Sequence, residues 1–449
     1  MEGSTQAPIR HPIPWRDEDF WDQLSLDKEL RRVFDICHGC RRCFNLCDSF
    51  PQLFDVIDES ESGELDTVSS DTFPKIAESC TLCDMWFLTK CPYVPPHAFN
   101  IDFPHLMLRA RAVETEKIGK PPFIQNQLAQ TDRNGIIGKK FGFILNFFTN
   151  INNKIFRKIL NYIAGIDFKV ILPKFDKNKF EIPLINKEGK ANKRKAVIYT
   201  SCFANYNRTE IAEASLAVLA AQGVEIKLHY PECCGMPMLE QGNIERVSVS
   251  AEKISESFIS FIEDGFDVIA LTSSCALMMK YEWPLILPEN ESVKLLSQNT
   301  YDIDEYLVDI SKKEGLVDGM KPLDGGISLH LACHSRAQNM GAKSNELLKL
   351  IPEADISIVE RCSGHGGTFG VLTPTHDLAR KVGKPAARMV AKADPSYVIS
   401  SCPLASKHLS QITKEDVIKD KKSKNIRSGH PIELMAVSYG FLKKDEMSE

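Results

Sequence analysis
The stretch "CHGCRRCFNLC" places thiols at Cys37, Cys40, Cys43 and Cys47, separated by two, two and three residues. Thiolates are soft, anionic donors that suit iron and zinc. Backbone with this short spacing wraps around an inorganic cubane, so that three thiolates reach three irons and the fourth is left for a neighbouring centre. A second stretch, "CTLCDMWFLTKCP", adds Cys80, Cys83 and Cys91. Seven of the fourteen cysteines therefore fall within residues 37–92.

Together the two stretches follow the two-cluster ferredoxin pattern, with one departure. A further cysteine is due at position 86, and the chain has Trp86 there, whose indole donates an N–H but offers no ligand lone pair. One extra residue also precedes Cys91. By the crossover rule, Cys37, Cys40, Cys43 and Cys91 complete one [4Fe–4S] cluster. Cys47, Cys80 and Cys83 form a three-thiolate site, expected to hold [3Fe–4S] or a labile [4Fe–4S] with a non-protein fourth ligand, with Trp86 filling the space of the absent cysteine. Trp86→Cys should then yield a stable cubane. The alternative is a zinc site on Cys37, Cys40, Cys80 and Cys83, which leaves Cys43, Cys47 and Cys91 unexplained. Arg41 and Arg42 either offset cluster charge or form a solvated surface pair.

The remaining cysteines sit just past short apolar runs. "KAVIYTSC" ends at Cys202, "VEIKLHYPECCG" carries Cys233 and Cys234, and "DVIALTSSC" ends at Cys275. Helical stretches over about 207–222 and 243–263 separate them. The layout recurs in "ISLHLAC" with Cys333, "DISIVERCSGHGG" with Cys362, and "YVISSC" with Cys402. The gaps are 31 and 42 positions in the first copy and 29 and 40 in the second. An internal duplication of βαβ units on parallel sheets is the simplest reading. In such sheets ligands bind beyond the carboxyl ends of the strands, so these cysteines converge on one edge. Gly235, Gly364, Gly366 and Gly367 let backbone N–H groups approach cluster sulfides.

The rest of the chain bounds the class. Its 449 residues suggest roughly two to four domains. A content of 43% hydrophobic and 26% charged residues describes a soluble globular protein, and a net charge of −5 gives no case for nucleic acid. No signal peptide opens the polar, proline-broken lead, and no run of about 18 apolar residues spans a bilayer. Cysteines at regular spacing without a secretory signal point to a reducing, cytoplasmic setting and to ligands rather than disulfides. "WDQLSLDKELRRVFDI" reads as helix, and the acidic "DVIDESESGELDTVSSD" as a solvated connection. "KKFGFILNFFTNINNKIFRKILNYIAGI" (139–166) reads as amphipathic helix, expected to pack on the protein's own domains, with a membrane surface as the other use. No G-x-G-x-x-G after a strand and no Walker A sequence is present, so the chain is not read as a self-contained dehydrogenase.

A ferredoxin-like head followed by two cysteine-rich repeats resembles the iron–sulfur subunit of anaerobic glycerol-3-phosphate dehydrogenase. It also resembles the glycolate oxidase iron–sulfur subunit and the cysteine-rich subunits of heterodisulfide reductases. "CSGHGGTFG" is similar to the second-repeat signature of the first of these. "RRCFNLCDSFP" and "KCPYVPPHAFNIDFPHLMLRARA" look closer to a bacterial branch of heterodisulfide-reductase-related proteins associated with rubrerythrin. The likeness covers roughly 30–110 and 195–430.

The resemblance implies a multidomain α+β and α/β chain. A two-cluster ferredoxin-type domain would occupy 1–110 and a helical linker 111–192. A first Cys-Cys-Gly domain would occupy 193–322 and a degenerate second one 323–440. Complete repeats of this kind carry one cysteine, then Cys-Cys-Gly, then C-x2-C. Here Thr272 and Ile399 stand where the pairs begin, and Ser363 replaces the second adjacent cysteine. A [4Fe–4S] cluster is thus expected on Cys202, Cys233, Cys234 and Cys275, and is doubtful on Cys333, Cys362 and Cys402. His334 and His365 are read as structural, with an imidazole ligand as the alternative. The implied role is an electron-transfer subunit working with a flavoprotein dehydrogenase, a rubrerythrin-like partner or a quinone, peripheral to the membrane at most. A heterodisulfide-reductase-like catalyst in the first repeat and a zinc-stabilised interaction protein are the other readings. No residue is assigned to catalysis.

Overall fold
The computed structural model describes residues 9–88, 91–119, 121–418 and 426–447. Past residue 193 two halves fold alike. The first sheet holds β1 (Lys195–Tyr199), β2 (Glu225–Leu228), β3 (Asp267–Ala270) and β4 (Thr300–Asp302), in the order β2-β1-β3-β4. The second holds β5 (Ile327–His330), β6 (Ile356–Val359), β7 (Tyr397–Ser400) and β8 (Arg427–Gly429), in the order β6-β5-β7-β8. Every pairing is parallel, with Val197 opposite Lys227 and Val268, and Leu329 opposite Ile358 and Ile399. The strands read as continuous apolar runs because helices cover both faces, and Ala196, Val197, Ile198 and Tyr199 are fully buried.

Helices Thr209–Ala221 and Ile244–Glu263 make the crossovers of the first half, within about two residues of the sequence reading. In both sheets the chain leaves the first strand to one side and returns on the other. This reversal opens a crevice beyond the ends of β1 and β3, and of β5 and β7.

The head is helical over its described residues. In Gln23–Cys40, Leu26, Leu30, Val33 and Phe34 are buried at helical spacing, and the helix stops at Arg41 in a left-handed conformation. The acidic segment is not simply a solvated connection. Residues 55–58 finish the helix Ser49–Asp58, and Leu65 and Val68 are buried. Arg31 fixes the segment by donating to the carbonyls of Leu65 and Val68 and to Ser70 Oγ.

The head and the first repeat share one core, which includes Phe34, Phe54 and Phe73 with Val268 and Trp283. The two repeats share another, which includes Ile198 and Ile269 with Leu329 and Ile399.

The stretch expected to pack inward at 139–166 is inverted. It forms helices Thr131–Thr149 and Lys154–Ala164. Gly135 and Gly138 are the residues pressed inward, against the rings of Tyr206 and Phe175, which occupy the space a side chain would need. The aromatic and aliphatic face turns outward, leaving Phe143 81%, Tyr162 92% and Ile163 70% exposed.

Candidate metal centre
Helix Gln23–Cys40 delivers Cys37 and Cys40 on its last turn, and the chain turns at Arg41 towards Cys43. Burial holds the Cys37 thiol well above its ordinary range, and the neighbouring Cys43, Cys91 and Cys40 add to the shift. Cys43 is pushed up to about 12 by burial, then by Cys91 and Cys40, with Arg42 opposing. Each of Cys40, Cys43 and Cys91 thus acts on the Cys37 thiol. Arg42 acts on the Cys43 and Cys91 thiols, whereas Arg41 pairs with Asp58.

Cys47, Cys80 and Cys83 form the second group. Cys47 is raised by burial, then by Cys80 and Cys83, against a backbone N–H from Ser49. Arg111 donates to the carbonyls of Ala77, Glu78 and Cys80, and its charge lowers the Cys80 thiol against the stronger effect of burial. Trp86 lies buried in the head core with Cys80 and Leu82, and its carbonyl accepts from the Cys91 N–H at 3.2 Å. Asp84, directly after Cys83, is raised to about 7 by burial against the attraction of Arg10.

In the first repeat Cys202, Cys233 and Cys275 follow β1, β2 and β3. The Sγ atoms of Cys202 and Cys233 are 3.8 Å apart, far beyond the roughly 2.05 Å of a disulfide. Burial of Cys234 and its hydrogen bonds to Cys233 and Cys275 join the four thiols. Thr272, at the pair's first position, donates its hydroxyl to Cys275 Sγ at 3.0 Å. Asp132 reaches in from the linker helix. Its carboxylate accepts from the Cys233 N–H at 2.7 Å and from the Tyr230 hydroxyl at 2.5 Å. Nothing in the sequence marked Asp132, which lies 101 positions from Cys233.

In the second repeat Cys333 is raised by burial, then by Cys83, Cys362 and Cys402. His334 Nδ1 bonds Ser274 Oγ at 2.8 Å, the structural role expected of it. His365 is lowered to about 4 by burial, and its ring centroid lies 5.8 Å from that of His408.

A cavity of about 1180 Å³ lies between the second head group and the two repeats. Cys47 and Cys83 of the head line it, with Cys202, Cys233, Cys234 and Cys275 of the first repeat and Cys333, Cys362 and Cys402 of the second. The fourteen cysteines are all free, and as thiolates the buried ones, Cys80, Cys233, Cys234 and Cys275, would be costly without cations to neutralise them. Among the described residues no three of His, Cys, Asp and Glu close on one metal ion. The donor set, thiols grouped in threes and fours with backbone N–H groups beside them, fits iron–sulfur clusters, whose several irons take one thiolate each.

The fold and its thiols define a duplicated parallel-sheet protein with cysteines at the strand ends. Residues 196–280 and 327–409 each match the cysteine-rich domain CCG, so the chain carries two copies of that domain. It is 26% identical to a subunit of anaerobic glycerol-3-phosphate dehydrogenase from Escherichia coli K12, over 69% of this chain and 75% of that protein. A subunit of fumarate reductase (CoM/CoB) from Methanothermobacter marburgensis is 27% identical over 54% of this chain and 46% of its own length. An uncharacterized iron–sulfur protein of Methanocaldococcus jannaschii is 28% identical over 57% and 50%.

Proposed function
We propose that the chain is an iron–sulfur electron-transfer subunit of an oxidoreductase complex. The observation that carries this reading is the meeting of thiols from the head and both repeats around one cavity. Clusters bound there would supply one-electron relay. Cys37, Cys40, Cys43 and Cys91 would hold a [4Fe–4S] cluster. Cys47, Cys80 and Cys83 would hold the second, as [3Fe–4S] or as a labile [4Fe–4S] with a non-protein fourth ligand. Cys202, Cys233, Cys234 and Cys275 would hold a third. Arg42 and Arg111 offset thiolate charge, which favours the reduced state, and burial keeps water from the sulfurs.

The sequence has no nucleotide fingerprint, so the donor is a partner: a flavoprotein dehydrogenase subunit or a rubrerythrin-like protein, with a quinone as one acceptor. Two of the relatives are named as subunits of a dehydrogenase and a reductase, which supports a partner subunit. Among the described residues no helix is long and apolar enough to cross a membrane. The outward face of 131–164, with Lys139, Lys140, Lys154 and Lys158 on the same helices, suits peripheral contact with an anionic bilayer on the cytoplasmic side.

A second reading rests on the first repeat. Cys202, Cys233, Cys234 and Cys275 line the cavity, so the cluster they would hold could deliver electrons from a partner to a disulfide substrate bound there.

Anaerobic purification with iron, zinc and labile-sulfide analysis and paramagnetic resonance during reductive titration tests both. Iron and sulfide in near-equal amounts, with more than one reducible signal, is expected. Zinc without sulfide sinks both readings, and leaves a zinc-stabilised interaction protein. A signal altered by a disulfide substrate favours the second.

A further inference from the structure
The second thiol group of the head lacks a fourth ligand in its own segment, and the second repeat docks directly on it. Helix Cys333–Ala337 packs against the turn Met85–Leu88. The loop after β6 closes over Cys80–Cys83. Gly366 has a positive φ of 49°, and a Cβ there would stand 2.5 Å from Thr81 Cγ2. Gly364 is pinned from the other side, since a Cβ there would collide with the Ala379 carbonyl. The loop is therefore held against the head by two positions that only glycine fills.

Cys362 stands at the start of this loop. It is exposed on the wall of the cavity, which Cys47 and Cys83 also line. Its sulfur already accepts the Gly364 N–H at 3.3 Å, the kind of bond that stabilises a ligating thiolate. We infer that Cys362 is the fourth thiolate of the second head cluster, completing Cys47, Cys80 and Cys83 across the domain boundary in place of Trp86. The inference rests on the electron-transfer reading, and makes this a four-iron centre shared by the head and the second repeat.

Cys333 is the competitor, because its helix packs on Met85–Leu88 and it lines the same cavity. Cys362 is favoured because its own loop, through Gly366, is seated on Thr81, between Cys80 and Cys83. With Cys362 committed to the head, the second repeat keeps Cys333 and Cys402, too few for a cluster of its own.

The test compares full-length, anaerobically purified protein with Cys362→Ser, Cys333→Ser and the double variant Cys362→Ser/Trp86→Cys. The readouts are iron per chain, Mössbauer spectra and paramagnetic resonance of the oxidised state. Cys362→Ser should lose about one iron per chain and show a new oxidised [3Fe–4S] signal. The double variant should regain the iron and lose that signal, which a merely unfolded loop would not do. Cys333→Ser should match the unsubstituted protein. An unchanged spectrum for Cys362→Ser overturns the inference. So does loss of a whole cluster with the head signals intact, because Cys362 would then serve a separate centre. Equal loss from Cys333→Ser also overturns it. Each of these leaves the electron-transfer reading standing, whereas absence of labile sulfide from the unsubstituted protein removes both.

Discussion
Replacing Arg10 by Met removes the guanidinium that ties the lead segment, the head and the first repeat together. Its Nε and Nη2 donate to the two oxygens of Asp102 at 2.9 and 3.1 Å. Nη1 donates to Asp84 Oδ2 at 2.8 Å and to Glu282 Oε1 at 3.0 Å. Only 10% of the side chain is exposed, so solvent screens little of this. Asp84 follows Cys83, Asp102 caps the helix Phe103–Ile118, and Glu282 lies in the turns after Cys275. Without Arg10 three carboxylates share one cation, His105, at 3.1 Å from both Asp102 and Glu282. Removing one partner of a buried pair costs roughly 3–5 kcal/mol.

The pH dependence follows from the same contacts. Burial raises Asp102 and Glu282, but Arg10 and then His105 outweigh it, holding Asp102 far below the carboxylate range and Glu282 down to about 2. These depressed groups contribute stability above their unfolded values near 4, and lose it as pH falls through the folded values. In the variant both carboxyls rise, so its folded state binds protons as pH drops while the unfolded state does not. The deficit should therefore be largest near pH 8. It should shrink towards pH 5 by about 1.4 kcal/mol for each pH unit over which one extra proton is held. Urea melts followed by indole emission measure this, because Trp15 Nε1 donates to the Ile286 carbonyl at 2.9 Å and reports docking. A deficit below about 1 kcal/mol at pH 8, or one that grows as pH falls, refutes the reasoning.

Phe143→Glu with Ile163→Glu should abolish sedimentation with anionic vesicles while changing stability by no more than about 0.5 kcal/mol, since both side chains are largely exposed. Cys202→Ser should remove the iron of the first repeat and leave the head signals in place, read by resonance and iron analysis. Glu240, raised to about 7 by burial against Arg111, loses stability as pH rises from 4.5 towards 7. Glu240→Gln should thus melt later at pH 8, by on the order of 2 kcal/mol after allowance for partial exposure, with little change at pH 4.5.

Six of the eight strands among the described residues were legible, because buried parallel strands read as apolar runs and each ends near a cysteine. β4 and β8 were not. Each is three residues long at a sheet edge, and Thr-Tyr-Asp and Arg-Ser-Gly carry no apolar run. Periodicity also marked 139–166 as amphipathic without telling which face turns inward. That was decided by Tyr206 and Phe175, whose rings leave room for glycines alone.

The grouping proposed for the thiols of the head comes from spacing, since a short loop sets which sulfurs can meet. The contact of the loop that follows Cys362 with Thr81 of the head was not legible, because it depends on how two domains dock. The departures from the full repeat point the same way once the neighbours are known. In the first repeat Thr272 keeps a polar group on Cys275, and all four remaining thiols face one another. In the second repeat Ile399 is wholly buried in β7 opposite Leu329, so that corner belongs to the apolar core. Ser363 is turned to the His365 N–H at 3.4 Å, within its own loop. What the second copy retains at its loop is one cysteine facing the cavity, held by glycines against Thr81. The two copies have thus diverged in use: the first keeps a full set of four thiols, and the second keeps the one placed to supply what Trp86 cannot.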